Sequence, residues 1–439
     1  MAFRWQSVLK SARRARRPED RGLGVCGYNR VRGGYRHRER RRDPACRSPV
    51  RLNPARRLGR RGEGGCTDPM AVEGVTIEEA GAIGRFREGS RKIWERIPYE
   101  SGNYPYVTAR VRAKRAALLP ADIYARLLQM EIPEIARFLG EREYKSEMLA
   151  LGARYAGVDL IEHATSLNLT RTYNQIYDFC EGHLRAIVGR YLDRYDLQNV
   201  KTIVRAKTYG ASTEQVEEDL VPAGSLPLEF LRELATAPTL DDAFRRLDDT
   251  IYAEALEGPA SEVKNWAAWE DRVSRIYYTE LLQSVPPSTD ANRLMRQFIE
   301  REIDIVNLKT LLRVWAARAA FDRAIFLPGG YEMTEADLAE MVRLDKAALM
   351  ARLRAYSFYD EIAGDLERVE ATGVGALLRK VEKVHLIEAT KYSHLHPLSI
   401  LPILDYILRK DREVQNIRLI ARGRESGLST DVIRELLVV

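Results

Sequence analysis

Past Met70, apolar residues recur every three or four positions, the spacing of one face of an α-helix. In "ADIYARLLQMEIPEIARFLG" the residues Ile123, Leu127, Leu128 and Met130 fall on such a stripe. Alternation with period two is not sustained anywhere, so no strand is expected. Pro120, Pro133, Pro222, Pro227, Pro286, Pro287, Pro328, Pro397 and Pro402 stand where helices should start or stop, because a proline ring suits the first turn and breaks the interior. "LVPAGSLP" after Asp219 and "LPGGYEMT" after Phe326 read as loops. The pattern predicts an all-α fold with short connections.

The pattern also repeats. "DLQNVKTIVR" begins at Asp196, "DIVNLKTLLR" at Asp304 and "EVQNIRLIAR" at Glu413. Anchored on Asn199, Asn307 and Asn416, the copies are spaced by 108 and 109 residues. Three positions before each Asn is an acid: Asp196, Asp304 and Glu413. Two after is a cation: Lys201, Lys309 and Arg418. Six after is Arg205, Arg313 or Arg422. A weaker fourth copy aligns "YVTARVRAKRAALLP" through its VRAK, with Tyr106 at the Asn position, Thr108 at the first cation and Arg112 at the closing Arg. This period is too long for the common helical solenoids, whose repeats run to about 47 residues. It predicts a triplicated helical domain, with units over 70–195, 196–303 and 304–412 and a C-terminal part, 413–439, completing the first.

On a helix, the positions one, four and five after each Asn share a face: Val200/Ile203/Val204, Leu308/Leu311/Leu312 and Ile417/Ile420/Ala421. The acid and the Asn project onto the same apolar stripe, and the cations onto the opposite side. Polar groups facing a core need partners, since an unsatisfied one costs about 1–3 kcal/mol. Recurrence in every copy favours a structural brace, with the acid at a helix start or paired to an Arg, over a ligand site.

Composition changes the picture only at the N-terminus. The chain has 439 residues, 45% hydrophobic and 30% charged, with a net charge of +7. The segment from Met1 to Pro69 carries 20 Lys+Arg against 6 Asp+Glu, leaving 50 against 57 in the rest. The body is therefore mildly acidic, and nucleic acid is not an expected partner of it. The leading segment has no apolar periodicity and is expected to be a disordered basic extension. A nucleic-acid arm and a transit segment are alternative readings of its arginines, as is a true start at Met70. Three of the four cysteines lie there, at a spacing that fits no zinc pattern, and Cys180 alone in the body can form no disulfide within it.

No catalytic constellation emerges. A phosphate-cradling glycine loop and HExxH are both missing. His385, His394 and His396 lack a shared geometry for a metal, although two His before a Pro could ligate one in a loop. Asp241–Asp242, Asp248–Asp249 and Asp360–Glu361 are neighbours that cannot face one point on a helix. No cofactor or metal is expected. Trp266 and Trp269 suit either a core or an interface.

Taken together, "NYPYVTARVRAKRAALLP", "YDLQNVKTIVRAKTYG", "REIDIVNLKTLLR", "FLPGGYEMT" and "PLSILPILDYILRKDREVQNIRLIARG" closely resemble the C subunit of the A-type (archaeal V/A-type) ATP synthase, from a family that includes the d subunit of the V-ATPase. The resemblance runs from about Asn103 to Val439 and keeps the motif order. It implies an all-α funnel of three pseudo-threefold-related domains, without catalytic residues. It implies a peripheral place on the cytoplasmic face of the membrane, one copy per complex, between the proteolipid (c/K) rotor ring and the D and F proteins of the central shaft. Tyr106 and Thr108 depart from the motif. The competing reading, without the family, is a helical adaptor of another complex.

Overall fold

The computed structural model describes residues 102–255, 260–263 and 265–439. The basic extension, its three cysteines and Met70 lie outside the described residues. Among those described there are helices and no strands, as the periodicity predicts.

The described part opens with α1 (Tyr104–Ala116), then α2 (Ala121–Leu127), α3 (Ile132–Gly140), α4 (Lys145–Leu151) and the long α5 (Gly157–Phe179). A short α6 (Gly182–Leu192) leads into α7 (Arg194–Tyr209), which carries the first motif. There follow α8 (Thr213–Asp219), α9 (Leu228–Thr236), α10 (Leu240–Leu247) and the long α11 (Trp266–Ser284). The second motif lies in α12 (Asp290–Ala317), followed by α13 (Glu335–Met341), α14 (Lys346–Leu353), α15 (Tyr359–Glu367), α16 (Val369–Thr372) and the long α17 (Val374–Leu395). The third lies in α18 (Leu401–Glu425), followed by α19 (Thr430–Leu436).

Prolines act where expected. Pro120 and Pro227 cap α2 and α9, while Pro133 and Pro402 sit in the first turns of α3 and α18. Each motif helix also stops on a left-handed residue eleven positions past its Asn: Gly210 (φ 71°), Arg318 (φ 49°) and Gly427 (φ 67°). A helix that must end within a few residues ends this way, because the left-handed turn lets late N–H groups reach back to its last carbonyls.

The predicted stripes are the core. Val200, Ile203, Val204, Leu308, Leu311, Leu312, Ile417, Ile420 and Ala421 are all buried. Around α12, the residues Phe326, Leu338, Met341, Leu349, Ile362 and Val381 form one apolar cluster. Around α7, Leu231, Leu234, Phe244, Trp269 and Val273 form another, which continues through Tyr191 and Ile299 to Ile403 on α18. Trp269 belongs to that core, stacked on Phe244 at 5.8 Å between ring centroids. The third motif helix packs against the first described helices, α1, α2, α3 and α5.

Candidate functional site

Each motif Asn makes the same pair of bonds. Asn199 Nδ2 donates to the Val221 carbonyl at 2.8 Å, and Val221 N–H donates back to Asn199 Oδ1 at 2.9 Å. Asn307 does this with Leu327, at 2.8 Å both ways. Asn416 does it with Val438, at 2.8 and 3.2 Å. A primary amide presents a donor and an acceptor side by side, so it can clamp one residue of extended backbone as a strand neighbour would.

Each motif acid holds the residue just before a helix cap. Asp196 Oδ2 accepts from the N–H of Ser225 (2.7 Å) and Leu226 (2.9 Å), ahead of α9. Asp304 accepts from the N–H of Glu332 (2.8 Å) and Met333 (3.2 Å), ahead of α13. Glu413 accepts from Leu119 N–H at 2.6 Å, ahead of α2, which lies 294 positions away in the chain. Room for the first two comes from Gly224 and Gly330, where a Cβ would overlap the Asp196 and Asp304 carboxylates.

The three acids differ in how their charge is met. Burial pushes the Asp304 carboxyl up to about 6, opposed by its backbone donors. Burial, and then the neighbouring Asp193, push Asp196 well above the usual range. Glu413 is one methylene longer and also reaches Tyr144 Oη (2.6 Å) and the buried Lys410 ammonium (2.7 Å).

The cations tie each motif helix to a long helix. Lys201 and Arg205 bond Ser274 and Glu270 on α11. Arg418 and Arg422 bond Ser166 and Glu162 on α5. Lys309 bonds Glu382 on α17. Arg313 lies on the exposed side of α12.

The fourth alignment is corrected by this geometry. α1 supplies neither clamp nor cap: Tyr106 is exposed and stacks under Arg110, and Thr108 is buried. The motif helix serving α2 is α18, through Glu413 and the Leu119 N–H. Of the motif's charges, the VRAK match keeps only the closing Arg112, and the cap needs an acid that α1 lacks.

The family model for the ATP synthase (C/AC39) subunit matches residues 107–436. The chain belongs to that family. Within it, the chain is similar to the C subunit of the A-type ATP synthase of Methanococcoides burtonii, 36% identical over 342 residues, or 77% of this chain and 95% of that one. It is 37% identical over 342 residues to the Haloferax volcanii protein of the same name, covering 77% and 98%. It is 34% identical over 354 residues to that of Archaeoglobus fulgidus, covering 80% and 98%.

This family member carries a second recurring position that the motif does not include. Five residues before each Asn stands a charge: Arg194, Glu302 and Asp411. Arg194 bonds Glu302 at 2.6 Å, and Tyr191 and Tyr278 hydroxyls donate to the same carboxylate at 2.8 and 2.9 Å. Burial raises Glu302, but Arg194 and then the other neighbours outweigh it and hold the group below its usual value. Asp411 accepts from Tyr195 (2.5 Å) and Tyr173 (3.0 Å), and burial raises it against the Arg194 charge. His385 of α17 lies half-buried in the same region, and desolvation pushes it down to about 4. One cation thus bonds an acid of the second motif helix, and its charge also acts on an acid of the third. The signal is present in the sequence as a charge at a constant offset, masked because its sign changes between copies.

His394 and His396 are exposed at the end of α17, apart from the half-buried His385. Among the described residues no helix is long and apolar enough to cross a membrane.

Proposed function

We propose that this chain is a non-catalytic central-stalk component of an A-type ATP synthase, the rotor part that joins the proteolipid ring to the D and F proteins of the shaft. It works peripherally on the cytoplasmic face of the membrane, one copy per complex, and passes rotation without chemistry of its own. The family match over residues 107–436 carries the reading. Relatives that this chain spans almost end to end, named as the C subunit of an A-type ATP synthase, give the complex it serves.

The recurring clamps support the mechanical part. In this reading the chain is three helical units, 70–195 completed by 413–439, 196–303 and 304–412, arranged as a pseudo-threefold funnel. Asp196, Asn199, Lys201 and Arg205, with their counterparts in the other two copies, brace the units and bind no ligand. A part under torque must hold its shape, since each ion crossing delivers about 2.3 kcal/mol per 100 mV. Side-chain clamps on backbone resist shear better than apolar contact alone, because they have direction.

The test is a pull-down from native membranes followed by deletion. The chain should travel with the other ATP synthase subunits. Membranes lacking it should hydrolyse ATP without moving ions. Ion transport at normal stoichiometry in its absence would overturn the reading.

A further inference from the structure

The turn from α17 to α18 is exposed. His394, Leu395, His396, Pro397 and Leu398 are exposed in succession, Leu395 at 69% and Leu398 at 63%. Single exposed leucines are ordinary, but these two, three residues apart, flank one tip. α1 lies beside it: Arg112 donates to the Pro397 carbonyl at 3.4 Å, and Arg115 pairs at 2.6 Å with the buried Asp405 of α18. The local charge is one-sided. No acid occurs between Glu388 and Asp405, or between Glu100 and Asp122, while Arg110, Arg112 and Lys391 are exposed. The acid that touches α1 here, Asp405, is already matched by Arg115 and Arg409, and Glu181 lies by the first turn of α1, where Asn103 holds its N–H. This basic corner stands on a body whose sequence is net acidic.

We propose that this tip rests on an anionic lipid surface, with Leu395 and Leu398 in the headgroup layer and Arg112 and Lys391 against lipid phosphates. Two exposed leucines beside exposed cations suit a fluid anionic interface, which accepts the leucines and gathers the cations around them. The proposal depends on the preceding reading only in expecting a membrane nearby.

Flotation of the full chain with vesicles tests it. The protein should float with phosphatidylcholine vesicles containing phosphatidylglycerol and much less with phosphatidylcholine alone. Leu395→Ser with Leu398→Ser should lower partitioning at least tenfold, as should Arg112→Glu with Lys391→Glu. Leu149→Ser, an equally exposed leucine on α4, should change nothing. Melting temperatures identify any misfolded variant, and Leu395→Asn with Leu398→Asn then replaces it. Unchanged flotation of the double leucine variants overturns the proposal, because other cations, including those before Met70, then do the binding. An equal loss with Leu149→Ser overturns it too. If wild type ignores vesicles but the leucine variant fails to co-purify with ATP synthase subunits, the tip faces protein and only the lipid proposal falls. Flotation as expected without any co-purification would instead remove the rotor assignment alone.

Discussion

Asp304 shows how one buried acid sets a local condition. Its folded value is about 6, and an unfolded aspartate titrates near 3.9. Folding therefore takes up a proton between about pH 4 and pH 6, and the group's contribution to stability falls as pH rises through that window. Asp304→Asn cannot titrate. The wild type's advantage over it should shrink from about pH 4 to pH 6 in urea denaturation. At pH 7 the variant should still lose about 1–3 kcal/mol, because an amide nitrogen must then face one of two N–H donors. Glycines 210 and 427 make a separate residue-scale case. Neither has a neighbour that a Cβ would meet within 4 Å, so an added methyl costs backbone strain alone. Gly210→Ala and Gly427→Ala should each lower stability by about 1 kcal/mol in thermal or chemical melts. Arg318 already bears that strain in the second motif helix, with its guanidinium over Trp315 and against the Leu344 carbonyl.

Among the helices, the motif joins pieces that periodicity alone would leave separate. A helix of seven residues such as α2, α13 or α19 has little stability of its own. Each is held at its edge by a side chain from a long motif helix. The α19 end depends on Asn416, which clamps Val438. Removing Val438 and Val439 should cost about 1–3 kcal/mol, the range for leaving a buried amide unpaired. Hydrogen exchange should then rise first in α19 rather than in α9 or α13. Equal exchange in all three would mean that the clamp does not hold this element.

Across the body, the three motif helices meet through charges. Arg194 pairs with Glu302, while Tyr195 beside it donates to Asp411. Arg194→Ala leaves Glu302 buried with tyrosine hydroxyls alone and should cost about 3–5 kcal/mol. Adding Glu302→Gln keeps an acceptor for Tyr191 and Tyr278 and removes the bare charge, so most of the loss should return. A double variant no better than the single would show that Arg194 acts through packing on the Tyr191 ring, 4.6 Å away, instead of through charge.

The helices, the loops at 220–227 and 327–334, and the residues of the clamp are all legible in the order of amino acids. They follow from periodicity, prolines and a motif whose members lie within ten positions, all properties of one helix. That the acid needs a partner is also legible, but the sequence leaves open a helix start or an Arg, because either can satisfy a buried carboxylate. Which helix it holds is not legible. For Asp196 and Asp304 the partner lies about 30 residues ahead, but for Glu413 it is Leu119, and no local pattern reports a contact across 294 positions. The VRAK match points to α1 for that reason. The Arg194–Glu302–Asp411 set is hidden for a related one: each charge looks like surface on its own helix, and only the packing of three helices takes all of them out of water together.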